Sequence, residues 1–456
     1  MPAVQTSVSR RSFLSASTAA AVGSAGAARG FAAFGRNPRP SEQAATAGAG
    51  FGPLSPVADE TTGLPLLQLP AGFRYKSFGW TGEPLTGPGE TGERRTPADH
   101  DGMGVVAESI ENGRRIVTLV RNHELSGGGS TGYQAVDGRT AYDPKAPGGC
   151  TALRFDATAG AWLDASLALS GTVKNCAGGP TGRGSWFSCE ETVDGPGETD
   201  DEGVTHPYEK THGWVFEVDP RAAANGAATT PQPIEGMGRF KHEAVAVDPA
   251  DGAVYLTEDQ GKCGLYQFVP RDPARPIAGG ALYMLKVPNR DDLRSGSKPG
   301  EEYPVEWVLI DDPTVGHSPA GLAEGIWDEK GVYRQGRAKG ATRFARMEGA
   351  WAGPDGEGRP GIWAVSTSGG AKELGQVWFF DPARQKLRLI FETPGAEVLD
   401  SPDNITVSPR GGVVLCEDGD IVPQRLHGLT KTGELFPLAA NNAVLTEPGP
   451  GGAPPE

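Results

Sequence analysis

The sequence is short of positive charge, of cysteine and of long apolar runs. Only 42 lysines and arginines stand against 57 aspartates and glutamates, a formal charge of −15. That balance excludes nucleic acid and anionic membrane as partners, since both demand clustered basic side chains. No stretch approaches the ~18 consecutive apolar residues of a spanning helix, so no stable membrane anchor is expected. The five cysteines are odd in number, leaving at least one thiol over from any disulfide pairing. Helical periodicity is missing too, as is a Gly-x-Ser-x-Gly elbow leading into a helix. Gly182-Arg183-Gly184-Ser185 lies in a hairpin and lacks the lysine of a phosphate loop.

What the chain has instead is punctuation. It carries 67 Gly and 39 Pro, about double ordinary usage, which excludes a helical bundle. With 37% hydrophobic residues, including 9 Trp and 16 Phe, it can still bury a large core. Between the turn residues stand short apolar runs such as Ile116-Val117-Thr118-Leu119-Val120, Gln376-Val377-Trp378-Phe379-Phe380 and Gly412-Val413-Val414-Leu415. Their length and β-branched or aromatic content predict strands. The N-terminus is different: Ser9-Arg10-Arg11-Ser12-Phe13-Leu14 precedes a mild Ala/Gly/Ser run with no acid before Glu42. This resembles a twin-arginine signal over residues 1–28, implying the twin-arginine export machinery as a partner and a periplasmic or secreted destination. Its removal takes away two arginines and no acid, leaving −17. A flexible Ala/Gly/Pro/Ser-rich linker is expected over 29–66, a single domain over 67–440, and a disordered tail over 441–456.

An internal repeat gives that domain its shape. His242-Glu243-Ala244-Val245 leads through Asp251-Gly252 to Leu256-Thr257-Glu258-Asp259, and Pro402-Asp403-Asn404-Ile405 leads through Gly411-Gly412 to Leu415-Cys416-Glu417-Asp418. A third copy starts at Glu348-Gly349-Ala350-Trp351, and a looser fourth runs from Asn175-Cys176-Ala177-Gly178 to Cys189-Glu190-Glu191. Repeated units of three or four strands predict an all-β fold, a β-propeller of six blades with long loops over the channel mouth. The innermost strand of each blade lines the channel, so Cys176, Glu243, Glu348 and Asp403 should converge on one axis. The second strand returns to the same end, 14 residues on from Cys176, 15 from Glu243 and 14 from Asp403. It brings Glu190 and Glu191, Glu258 and Asp259, and Glu417 and Asp418. Like charges in that number repel unless cations neutralise them. Many oxygens suit a hard cation such as calcium, and one thiolate suits a transition metal such as iron or zinc.

At these residues the sequence resembles the PhoX-type alkaline phosphatases, a secreted calcium- and iron-dependent family. The motifs are Asn175-Cys176-Ala177-Gly178-Gly179 with Cys189-Glu190-Glu191, Arg239-Phe240-Lys241-His242-Glu243-Ala244, Arg346-Met347-Glu348-Gly349-Ala350-Trp351, and Ser401-Pro402-Asp403-Asn404 with Cys416-Glu417-Asp418. His100-Asp101-Gly102-Met103 and Arg121-Asn122-His123-Glu124 also look like the family. The resemblance implies a cluster of calcium and ferric ions that hydrolyses phosphate monoesters of small molecules. It puts the iron-binding cysteine at Cys176, metal-binding acids at Glu243, Glu348 and Asp403, and a phosphate-contacting arginine at Arg346. Asn175, Asn404, His123 and Glu124 are candidates for supporting positions around the metals. A monomer is expected.

Two other readings fit an acid ring. Calcium-dependent lactonases and phosphotriesterases use Glu, Asn and Asp around calcium; Asn175 and Asn404 would suit such a site, and Cys176 would not. A non-catalytic exported protein could hold calcium for stability alone.

Overall fold

Short β-branched and aromatic runs, ended by Gly, Asp and Pro, form twenty-three strands among the described residues of this computed structural model. Those residues are 50–127, 133–137, 140–198, 204–221, 231–316, 331–408, 412–430 and 433–444. The twin-arginine segment and the tail beyond residue 444 lie outside them.

In chain order, β1 (Leu54–Val57) and β2 (Leu67–Pro70) come first. The first complete sheet follows with β3 (His100–Glu111), β4 (Arg114–His123), β5 (Gly148–Asp156) and β6 (Ala161–Thr172). The second has β7 (Asn175–Pro180), β8 (Trp186–Glu190) and β9 (Val215–Val218). The third holds β10 (His242–Val247), β11 (Val254–Glu258), β12 (Leu265–Pro270) and β13 (Gly280–Lys286). The chain then places β14 (Glu302–Pro304) on the outside of the fourth sheet and β15 (Glu306–Leu309) on the outside of the third. The fourth sheet is otherwise β16 (Met347–Pro354), β17 (Pro360–Ser366), β18 (Gln376–Asp381) and β19 (Lys386–Glu392). The fifth has β20 (Pro402–Val407), β21 (Val413–Glu417), β22 (Arg425–Leu429) and β23 (Leu435–Asn441), and β2 then β1 pair onto its outer edge.

The result is an all-β propeller, as the repeat predicts, with five blades among the described residues in place of six. Chain that a sixth sheet would need goes into connections: residues 71–99 and 287–301 contain no named strand. Residues 54–57, expected within a linker, are the outermost strand of the last blade. No described helix is long and apolar enough to cross a membrane.

Apolar faces of neighbouring blades hold the ring together. Tyr255 of the third blade meets Phe380 of the fourth with ring centroids 5.4 Å apart, inside a cluster that also buries Trp378 and Phe344. Burying each such side chain is worth about 1.5–3 kcal/mol. The glycines set how closely the inner strands approach. A β-carbon at Gly349 would lie 2.8 Å from the Asn404 Cα, and one at Gly102 would lie 2.6 Å from the Ala177 Cα. β16 is thereby drawn onto β20, and β3 onto β7.

Candidate metal centre

Every blade breaks its innermost pairing at the same place. His100 pairs with His123 and Met103 with Arg121; Asn175 with Glu190 and Gly178 with Ser188; His242 with Glu258 and Val245 with Leu256. Met347 pairs with Ser366 and Ala350 with Ala364; Pro402 with Glu417 and Ile405 with Leu415. In all five, three residues on the inner strand span what two span on its partner. A bulge of this kind re-aims a side chain. The first residue inside each is Asp101, Cys176, Glu243, Glu348 or Asp403.

A second repeated device stands beside the bulge. The backbone N–H groups of Glu124, Glu191, Asp259, Thr367 and Asp418 donate to the carbonyls of Asp99, Lys174, Lys241, Arg346 and Ser401, at 2.8–3.2 Å. Four of those acceptors adopt the left-handed region, with φ of 47° at Asp99, 44° at Lys174, 43° at Arg346 and 51° at Ser401. Such conformations cost about 1–3 kcal/mol each in a non-glycine residue and cluster at functional sites. They fix a second tier of groups beside the first.

The two tiers meet in overlapping triplets. Asp101, Glu124 and Cys176 bring one ligand atom each within 4.8 Å of one another; so do Cys176, Glu191 and Glu243, and again Glu243, Asp259 and Glu348. The Cys176 Sγ is 2.9 Å from Glu243 Oε1 and 3.5 Å from Asp101 Oδ2. Asp403 hydrogen-bonds Glu348 and feels the charge of Asp418, which lines the same cavity. Asp101 is the donor that the repeat did not nominate. Its signal was an acid followed by glycine, as in Glu348-Gly349, in a blade whose long first hairpin hides the spacing.

Burial and mutual repulsion set the electrostatics. The Asp101 carboxyl is pushed up to about 8, chiefly by burial, with Glu191 and Asp418 adding to it. Burial drives Glu243 and Asp403 well above the carboxylate range too, with Glu348 the leading charge in both cases. The Cys176 thiol is raised by burial, then by Asp101 and Glu243. Without cations these groups hold protons. Multivalent cations would allow all of them to ionise, and the donor set, one sulfur among carboxylates, fits such ions.

Adjacent acids at the strand ends part company. Successive side chains on a strand point to opposite faces, so one of each pair turns away from the channel. Glu190 accepts from the N–H groups of Val173, Gly213 and Trp214 and from His212 Nδ1 at 2.7 Å. Glu258 accepts from the Gly264 N–H and the Tyr266 hydroxyl. Glu417 accepts from Arg425 and the Asp400 N–H. These three tie their own blades together and stand outside the grouped donors. Arg346 lies at the ring, its Nε 2.8 Å from Asp259 Oδ1 and its Nη2 paired with Glu348.

The supporting candidates divide similarly. Glu124 joins the ring. Asn175 binds Thr172 and Ser188 side chains, Asn404 accepts from the Ile405 N–H, and His123 is held between the Ala98 carbonyl and Thr151 Oγ1. Asn122 was missed: fully buried, it donates to the Cys176 and Ala177 carbonyls and accepts from Trp186 Nε1, pinning β7 to the first blade. All five cysteines are free.

A β-propeller with an acidic, thiol-bearing ring at its channel mouth is the class that this geometry defines. The sequence matches the family described as Alkaline phosphatase PhoX over residues 49–168 and 164–452. The chain belongs to that family, and it is a phosphatase. Among solved structures it is similar to Pseudomonas fluorescens PhoX in complex with vanadate, a transition state analogue, at 18% identity and TM-score 0.57, covering 85% of this chain and 89% of that one. A gluconolactonase from Xanthomonas campestris is also similar, at 14% identity and TM-score 0.32, covering 71% of each chain. No curated protein matched by sequence.

Proposed function

We propose that the ring holds calcium and ferric ions and that the chain hydrolyses phosphate monoesters there as an exported monomer, carried by the twin-arginine machinery. The observation that carries this reading is the overlap of the donor triplets through Cys176 and Glu243, which lets several cations share ligands. Asp101, Cys176, Glu243, Glu348 and Asp403 are the inner ligands; Glu124, Glu191, Asp259 and Asp418 complete the coordination. Cations bound there supply Lewis-acid stabilisation of charge on the phosphoryl oxygens. They also reverse the repulsion that a chain of charge −15 exerts on an incoming dianion.

Arg346 has the exposure to meet substrate, its side chain being 29% accessible. Its Nε and Nη2 are held by Asp259 and Glu348, which fixes the guanidinium at the ring and leaves Nη1 to reach a phosphoryl oxygen. In the overall reaction the bond from phosphorus to the ester oxygen breaks as a water oxygen attaches. Inorganic phosphate and an alcohol leave. Elemental analysis of protein from its native host, beside p-nitrophenyl phosphate turnover before and after calcium chelation, tests the reading. Iron and calcium with chelator-sensitive turnover are expected; full turnover after complete calcium removal overturns it.

A further inference from the structure

A cavity of about 180 Å³ takes in the ring donors, Cys176, Glu243 and Glu348 among them, and extends past them between the first and last blades. Its inner end is Asp101 and Asp403, and one wall is apolar: Leu67, Val414, Leu426 and Ala439, all from the last blade. Across from that wall stands Arg121, on β4 opposite Met103. Arg121 is only 1% exposed; among the described residues no carboxylate lies within ion-pair distance, and the charge that favours its ionised form from farther off is that of Glu83. Its Nη2 donates to the Gly79 carbonyl at 3.1 Å, while its Nε finds no hydrogen-bond acceptor. A buried guanidinium left this way is costly, since such charges are ordinarily paired. Beyond that one contact to Gly79, neither the fold nor the ring uses its charge.

Arg121 pairs with Met103, on the far side of the bulge from Asp101, so it stands off from the ring donors while lining the same cavity. A space of about 180 Å³ admits only a short carbon chain between the two.

We propose that this crevice is the leaving-group subsite, with the carbon chain of the substrate along the apolar wall and a second anionic group on Arg121. The inference rests on the phosphatase reading and narrows it to short phosphate monoesters whose alcohol carries a carboxylate or another phosphate. Glu83 is the acid that acts on Arg121 and would compete with an incoming anion, whereas Asp101 and Glu124, which line the same cavity, belong to the ring and would be neutralised when it is loaded.

Turnover of 3-phosphoglycerate, 1,3-propanediol bisphosphate and glycerol 3-phosphate by the metal-loaded protein tests the subsite. The first two should exceed the third by about tenfold in kcat/KM, the size of one charge-assisted hydrogen bond; their relative rates tell carboxylate from phosphate. In Arg121→Met the preference should fall to about one, mainly through KM. Glycerate should raise the Tm of the wild type and leave that of Arg121→Met unmoved, a readout independent of turnover. Ala439→Trp, which narrows the wall, should lower kcat/KM for the three-carbon esters relative to methyl phosphate, and it decides the matter if Arg121→Met does not fold. An unchanged preference in a folded Arg121→Met, or no preference in the wild type, overturns the subsite. Absence of turnover on every ester overturns the phosphatase reading instead, and the glycerate shift still judges the crevice.

Discussion

The Cys176 thiol of the second blade lies 2.9 Å from the Glu243 carboxylate of the third. Burial and the surrounding acids keep that thiol protonated in the metal-free chain, so it should ionise only as a cation arrives, releasing its proton. Cys176→Ala is expected to lose iron while retaining calcium, and to lose the visible thiolate-to-iron absorption. Elemental analysis and an absorption spectrum check both; iron at full occupancy in the variant would falsify the ligand assignment.

Arg346 bridges Asp259 and Glu348 across two blades. If its Nη1 also holds the phosphoryl group, Arg346→Met should lower kcat/KM for p-nitrophenyl phosphate by about 100-fold. Lysine should restore little, because a point charge does not reproduce the bidentate contact with Asp259. A loss of less than twofold means that Arg346 only balances the charge of its neighbours.

Gly349 follows the Glu348 donor, and a β-carbon there would lie 2.8 Å from backbone atoms of Asp403, Asn404 and Ile405 on β20. Backbone cannot yield as a side chain would. Gly349→Ala should cost about 1–3 kcal/mol and spread β16 from β20, weakening metal retention. Thermal unfolding and metal content measured on the same sample check this; a variant with unchanged Tm and metals excludes it.

Asp59 ties the β1–β2 connection to the chain beyond it, accepting from Ser77 N–H and hydroxyl and from Thr62 N–H and hydroxyl at 2.6–2.9 Å. Burial alone would raise its carboxyl, yet those hydrogen bonds lower it to about 2. A depressed carboxylate stabilises the fold above its unfolded value and loses that contribution as pH falls toward its folded one. The wild type should therefore exceed Asp59→Asn by about 2 kcal/mol near neutrality, a gap closing between pH ~4 and ~2. Denaturant unfolding of both proteins across that range checks it; a gap that stays constant assigns the effect to something other than ionisation.

Much of the ring was legible because repeats report equivalence. Cys176, Glu243, Glu348 and Asp403 occupy matching places in four units, and a propeller must bring matching places together. Asp101 escaped because β3 and β4 are 12 and 10 residues long, which puts Glu124 much farther along the chain than in the other blades. Which acid of Glu190-Glu191, Glu258-Asp259 or Glu417-Asp418 faces the channel depends on where the strand ends, and a one-residue difference reverses the face. The expected six blades became five among the described residues because only four repeat copies could be read, and the remaining chain did not say whether it formed sheet or connection. Arg121 was legible only as part of the Arg121-Asn122-His123-Glu124 motif, since only the fold reveals that it is buried without a carboxylate at ion-pair distance among the described residues.

The last blade is stitched from both ends of the described chain, β1 and β2 lying against β23. Asp101 and Asp403, 302 residues apart in sequence, face the same cavity only once that seam is closed. A chain still emerging from the ribosome therefore presents at most an open arc of donors. The full ring of donors closes only when β23 pairs with β2, so a truncation before β23 should leave an open arc that added metal does not restore to the native Tm.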